Sequence, residues 1–412
     1  MTPLPRARLL AYGGLGLPLA FAALPLYIHL APFYSSVISL SLLGVILLAL
    51  RFLDAAIDPL IGALFDRFPH PRTLVALSLP VLGLGWIGVF TLPESLPVVP
   101  WLIVMLMLTT IGYSLVTVVH NTWGACLSSV PHERTRLFAA REGFGLLGVV
   151  LAAALPTLLA ASLAEGLARM GWIFLGLLLG FAAFTLIASP AMERSTRSPG
   201  FKQMLRPLAN PVFARFVPGY LLNGVAAALP ATLVIFFIED LLKLASHSGL
   251  FLVIYFLSGA LGLPLWVRLA KRIGTLDAWL ASMALSIAAF AGAFWLGAGD
   301  LVGYALVCAA SGLALGADLA LPPALVADMI DADPAPQPGT YYGLLSFFAK
   351  LTLALAAGTA LPLLDFWGYS PGGGNLFALS ATYALLPIVM KLGALVWFWR
   401  ARPIAHSGVV PF

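Results

Sequence analysis

An all-α membrane protein of twelve transmembrane helices in two six-helix halves is predicted by three observations. Charge is scarce, long apolar stretches recur regularly, and one long polar break sits at mid-chain. Of 412 residues, 61% are hydrophobic and 9% charged, and the mean hydropathy is +1.00. Soluble domains carry about 25% charged residues, because a globule must meet water with polar surface. A chain this poor in charge takes lipid as its solvent.

A helix needs about 20 mostly apolar residues to cross a bilayer. Stretches of that kind in the first half fall at 9–33, 36–65, 73–92, 97–127, 137–162 and 171–191. The second half adds 214–239, 248–267, 276–297, 301–328, 340–364 and 376–399. The basic segment Met1 to Arg8 precedes an apolar run too long for a signal-peptide core, so that run is read as the first span. The break Met192–Phe213 divides an N-terminal half, 1–191, from a C-terminal half, 214–412, with 192–213 as a cytoplasmic connection. Two such halves, related by an axis along the membrane normal, make the major facilitator fold, with the solute cavity between them. A faint repeat agrees: Gly62 precedes Asp66, Arg67 and Arg72, as Gly262 precedes Arg268, Lys271 and Arg272.

Orientation follows from Lys and Arg. With both termini cytoplasmic, 17 of the 22 fall at that face, and only Arg169 and Lys243 fall opposite. The distribution accounts for the net charge of +5 without nucleic acid as a partner. The expected partners are a small-molecule solute and the lipid bilayer of a cell inner membrane, with the chain a monomer. Cys126 and Cys308 lie in apolar segments without metal-ligand spacing, so both read as small buried hydrophobes. No cofactor or resident metal is expected, only a coupling ion, H+ or Na+.

Ionisable residues inside spans are the informative ones, since each costs roughly 2.5–3.5 kcal/mol at mid-bilayer. In the second span Arg51, Asp54 and Asp58 are spaced i, i+3, i+7 and share a helix face. Arg51 can neutralise one carboxylate, and a sodium ion or proton the other, because hard cations take oxygen ligands. The competing reading is a buried salt-bridge cluster that only joins helices. Lys350, ten residues into the eleventh span, is the counter-charge expected from the other half. Thr117, His120 and Asn121 share a face of the fourth span, where the histidine either meets solute or is a packing residue. Asn223 and Asp318 are further cavity candidates.

Ion-pairing sets at the cytoplasmic face read as latches of a two-state cycle. They comprise Asp66, Arg67 and Arg72 after the second span, and Glu133, Arg134 and Arg136 after the fourth. Asp328, Asp331 and Asp333, after the tenth, are acids able to pair with the basic loops or to stay solvated.

The second span reads R-x-x-D-A-x-x-D-P-x-x-G-x-x-x-D-R from Arg51 to Arg67. E-R-T-R-L-x-x-x-R follows from Glu133 to Arg141, then A-D-M-I-D from Ala327 and G-x-x-x-G-L-x-S-F-x-x-K from Gly339 to Lys350. Taken in this order, the motifs resemble those of the glycoside–pentoside–hexuronide:cation symporters, the melibiose permease-like family of the major facilitator superfamily. The resemblance implies that Asp54 and Asp58 bind the coupling cation beside Arg51, and that Arg141 and Lys350 line the solute and cation region. It also exposes departures. The family's acids in the first and fourth spans fall at Ala20 and Thr117, and an aromatic position falls at Asn121. These changes point away from melibiose-like specificity and sodium, toward proton coupling.

The leading expectation is therefore proton-coupled symport of a sugar, glycoside or similar small organic solute. The alternatives are export or flipping of an amphipathic molecule, motivated by the lost acids and the apolar first span, and a non-transporting sensor. The sequence has no Gly-x-Ser-x-Gly elbow and no metal-spaced cluster, so an enzyme is not expected.

Overall fold

The computed structural model describes residues 4–34, 37–92, 96–160, 162–189, 192, 203–370 and 372–401. Within the expected central connection, 193–202 lie outside the described residues, Arg194, Arg197 and Lys202 among them. The chain forms two compact units, 1–205 with 335–346, and 206–334 with 347–412. The division at 205 falls inside the expected connection, but 335–346 groups with the first unit.

In the first unit the helices are α1 (Arg6–Gly14), α2 (Gly16–Ile28), α3 (Leu30–Tyr34), α4 (Leu40–Arg67), α5 (Pro71–Val89), α6 (Val98–Ala125), α7 (Pro131–Leu159) and α8 (Leu163–Ala188). The second unit holds α9 (Pro211–Phe236), α10 (Ser248–Ile273), α11 (Thr275–Phe294) and α12 (Leu301–Ala332). It continues through most of α13 (Pro338–Phe366), then α14 (Leu376–Ser380) and α15 (Leu386–Ala401). A short hairpin, β1 (Tyr369–Ser370) against β2 (Gly373–Gly374), pairs Tyr369 with Gly374 and Ser370 with Gly373. Single π-helical turns, Phe237–Leu241 and Ala381–Leu385, widen the end of α9 and the join of α14 to α15.

Among the described residues, eleven helical stretches are long and apolar enough to cross a membrane. The expected twelfth is α4, which has the length at 28 residues but carries Arg51, Asp54 and Asp58 through its middle. The expected first span, 9–33, has one membrane-crossing stretch, Arg6–Tyr27, within α1 and α2, and α3 follows it. Proline explains both breaks: Pro18 and Pro32 lack the N–H that would bond the Gly14 and Ile28 carbonyls one turn earlier.

Several helices outrun their apolar stretches. The first turns of α7 include Glu133, Arg134 and Arg136, which were expected in a loop. Likewise α12 continues through Asp328 and Asp331, and α10 through Arg268, Lys271 and Arg272 until Gly274, at φ 94°, ends it. Hydropathy marks where lipid stops; backbone hydrogen bonding continues until a Pro, a Gly or a cap intervenes.

Close helix contacts in the first unit use glycine, as expected where lipid offers no hydrophobic drive and packing must do the work. A Cβ on Gly148 of α7 would lie 2.2 Å from the Leu17 carbonyl oxygen of α2, and one on Gly16 would lie 2.2 Å from that of Arg141. Polar ties add to this. Trp86 Nε1 donates to the Ala22 carbonyl at 2.9 Å, and the Thr185 hydroxyl donates to that of Ala11 at 2.6 Å.

Candidate functional site

On α4, Asp54 is half-buried and Asp58 fully buried. Asp54 Oδ1 accepts from the Ser114 hydroxyl of α6 at 2.8 Å, and Asp58 Oδ2 accepts from the Ser346 hydroxyl of α13 at 2.6 Å. Each carboxylate thus stands beside a second oxygen that can donate to the anion or face a hard cation. Arg51 does not complete the expected salt-bridge cluster. Its guanidinium lies 4.3 Å over the Tyr27 ring of α2. Helical side chains lean toward the helix N-terminus, so Arg51 leans away from acids that follow it in the chain.

A second group of polar atoms lies on α6 and α7. Thr117 Oγ1, Asn121 Oδ1 and Arg141 Nε are buried with no hydrogen-bond partner among the described residues. Buried polar groups are normally bonded, and an unbonded one costs about 1–3 kcal/mol. Arg141 pairs with its neighbour Glu142, and that ion pair is mostly buried. His120 turns elsewhere. It is fully buried, its Nε2 sits 2.9 Å from the Tyr12 carbonyl oxygen, and Tyr12 in turn donates to the His120 carbonyl at 3.1 Å. A carbonyl only accepts, so the proton is assigned to Nε2 and Nδ1 is left as a bare acceptor. The residue ties α6 to α1, the packing role that the sequence left open, while Thr117 and Asn121 lie one turn apart on the same helix.

The end of α4 meets the start of α13, both within the first unit. Asp66 Oδ1 accepts from Gly339 N at 2.8 Å; its Oδ2 accepts from Thr340 N at 2.7 Å and from the Thr340 hydroxyl at 2.6 Å. The carboxylate therefore caps a helix N-terminus, where N–H groups lack partners and the dipole favours an anion. The approach depends on Gly62 and Gly339, since a Cβ on either would lie 2.2 Å from the other's carbonyl oxygen. Asp66 lies past the apolar run that ends at Phe65. Burial pushes its carboxyl up to about 6, against the three hydrogen bonds.

The expected latch of Asp66 with arginines is therefore corrected: Arg67 is exposed beside Phe68, and Arg72 donates to the Ser189 carbonyl at 2.8 Å. Glu133 is buried and takes Arg136 at 2.7 Å, His132 at 3.0 Å and the Leu4 N–H at 3.3 Å. Arg134 is buried too and donates through Nε to the Ser128 carbonyl at 2.7 Å. These groups tie the start of α7 to the turn before it and to Leu4.

In the second unit, Asn223 of α9 is not open to solute. Its amide nitrogen donates to Asp318 Oδ1 at 2.9 Å and its oxygen accepts from Lys391 Nζ at 2.8 Å. Lys391 also reaches Asp318 Oδ2 at 3.1 Å, and Trp279 Nε1 donates to Asp318 Oδ1 at 2.7 Å. One carboxylate thus joins α9, α11, α12 and α15 in a closed network. Lys350 is half-buried along α13; Asp328 is half-buried and Asp331 exposed on α12, and Asp333 meets Arg206 at 3.5 Å.

Lys391, Glu142, Ser114 and Ser346 were missed as site residues. Lys391 and Glu142 carry the signal that singled out Lys350, an ionisable side chain within an apolar run. Ser346 stands in the motif from Gly339 to Lys350 but Ser114 in none, and the acid each one meets is set by helix packing.

A family model described as MFS/sugar transport protein matches residues 9–405. No curated protein matches. Among solved structures, the E. coli fucose:proton symporter FucP is 17% identical, with a TM-score of 0.68 over 95% of this chain and 97% of that one. A bacterial homologue of the iron transporter ferroportin, in its outward-facing state, is 15% identical, with a TM-score of 0.70 over 96% and 99%. The human organic anion transporter MFSD10 is 18% identical, with a TM-score of 0.70 over 96% and 100%. Likeness at such identity establishes the fold, and the family match extends over nearly all of the sequence. The chain thus belongs to the MFS/sugar transport protein family, that of the melibiose permease-like major facilitator symporters, and is a membrane transporter rather than an enzyme.

Proposed function

We propose that the chain is a cation-coupled symporter, with the proton as coupling ion, for a sugar, glycoside or similarly polar small solute. The observation that carries this reading lies in the first unit. Two carboxylates on α4, each with a serine hydroxyl beside it, accompany unbonded polar atoms of Thr117, Asn121 and Arg141 on α6 and α7. Unbonded hydroxyl, carbonyl and guanidinium atoms suit a solute that both donates and accepts hydrogen bonds. Asp54 and Asp58 would take up the ion and Arg141 would orient the solute. Binding of either ligand would raise affinity for the other. Asp66, with the Glu133 set, would act as the gate. Both termini face the cytoplasm of a cell inner membrane, as the Lys and Arg distribution requires, and the working form is a monomer.

The test is solute-induced proton movement in proteoliposomes, screening sugars, glycosides and lysolipids on wild type and Asp58→Asn. Alkalinisation with one polar solute, abolished in the variant, supports the reading. A lysolipid as the only active compound replaces symport by lipid flipping. Sodium-dependent thermal stabilisation in wild type alone, without proton movement, replaces the proton by sodium.

A further inference from the structure

At one end of the second unit, two arginines without ion-pair partners among the described residues flank an indole. Trp397 of α15 is 42% exposed, and its Nε1 donates to the carbonyl of Arg215, in the second turn of α9, at 2.8 Å. Arg400 lies one turn beyond Trp397, and both arginine side chains are exposed. Asp333, which lines one cavity with the start of α9, is already held by Arg206. The indole is fixed further by its neighbour Phe398, which packs on Phe216 at 6.0 Å between ring centroids.

Below this cationic pair the exposed face of α15 is apolar. Leu392, Val396 and Trp399 follow at helical spacing, 44%, 41% and 62% exposed. In a membrane-spanning helix such a stripe faces acyl chains, and tryptophan marks the headgroup level. Guanidinium groups above an acyl-facing stripe match a phosphate ester carrying fatty chains.

We infer that Arg215, Trp397 and Arg400 form a binding site for an anionic phospholipid, its phosphate between the two guanidinium groups and its acyl chains along α15. Three basic residues at the end of α10, Arg268, Lys271 and Arg272, are a natural control, as they carry more charge but their neighbouring Trp266 is buried. The site stands independently of the transported solute.

The experiment is native mass spectrometry of the purified full chain, titrated with phosphatidylglycerol or phosphatidylcholine of identical acyl chains. Expected is retention of phosphatidylglycerol over phosphatidylcholine, weakened about 20- to 30-fold in Arg215→Gln/Arg400→Gln, at roughly fivefold per arginine. Arg268→Gln/Arg272→Gln should bind as wild type. If the two double variants lose lipid equally, the attraction is diffuse and the site is refuted. Equal retention of both lipids refutes it as well. Displacement of phosphatidylglycerol by millimolar inorganic phosphate would assign the arginines to a free anion instead. If the arginine variant fails to fold, Trp397→Phe, which removes the indole N–H together with its five-membered ring, must lower retention severalfold for the proposal to survive.

Discussion

The Ser346 hydroxyl donates to Asp58 Oδ2 at 2.6 Å, joining residues 288 positions apart within one unit. A hydrogen bond to a charged acceptor contributes about 1.5–3 kcal/mol. Ser346→Ala should therefore lower coupled uptake in proteoliposomes by about tenfold, while Asp58→Asn abolishes it. Size-exclusion profiles of both variants should match wild type. Undiminished coupled uptake in Asp58→Asn would remove the carboxylate from the coupling site.

Asn121 holds a buried oxygen with no hydrogen-bond partner among the described residues. Replacing an unbonded polar group by an apolar one of similar shape is neutral or stabilising. Asn121→Leu should hold or raise the melting temperature while weakening solute binding about tenfold or more. A variant that loses stability and affinity together would make Asn121 a packing residue.

Asp66 gives a pH dependence with a definite sign. Its folded value of about 6 lies above the ordinary carboxylate value, so protonation favours the folded state. The contribution is fully present below about pH 4 and is lost as pH rises through about 6. About two units correspond to roughly 3 kcal/mol. The melting temperature of wild type relative to Asp66→Asn should fall between pH 4 and 7 in detergent. A difference that is flat across this range would mean that Asp66 stays ionised.

The Asp318–Lys391 pair predicts an asymmetry between single and double variants. Breaking a buried pair leaves one charge uncompensated and costs about 3–5 kcal/mol. Lys391→Met should thus lower the melting temperature sharply, and adding Asp318→Asn should recover most of the loss. Additive losses in the double variant would argue that the two charges are not coupled.

Gly148→Ala tests the packing of α7 on α2. The new methyl would meet the Leu17 carbonyl, and overpacking of this kind costs about 1–3 kcal/mol. Gly44, with nothing within 4 Å of its Cβ position, should accept alanine without loss.

What the sequence made legible was set by lipid. Apolar length located the helices, charge within them singled out Asp54, Asp58 and Lys350, and Arg141 came from the family resemblance. Helix ends were harder, because Glu133, Arg268 and Asp328 are too polar for a bilayer yet continue regular helices. Partners were hardest. Helix spacing puts Arg51 on the face of Asp54, but the direction in which helical side chains lean gives it to Tyr27. Asn223 read as open to solute because Lys391, which fills its oxygen, lies 168 residues away. Its other partner, Asp318, likewise follows from how α9 and α12 pack.

The closed network around Asp318 also bears on membrane voltage. A field acts on net charge, at about 2.3 kcal/mol per elementary charge per 100 mV. Asp318 and Lys391 lie 3.1 Å apart and sum to zero, so carrying them through the field does almost no electrical work. Moving this pair therefore adds essentially nothing to the electrogenicity of a transport cycle, although both members are ionisable and Lys391 is buried.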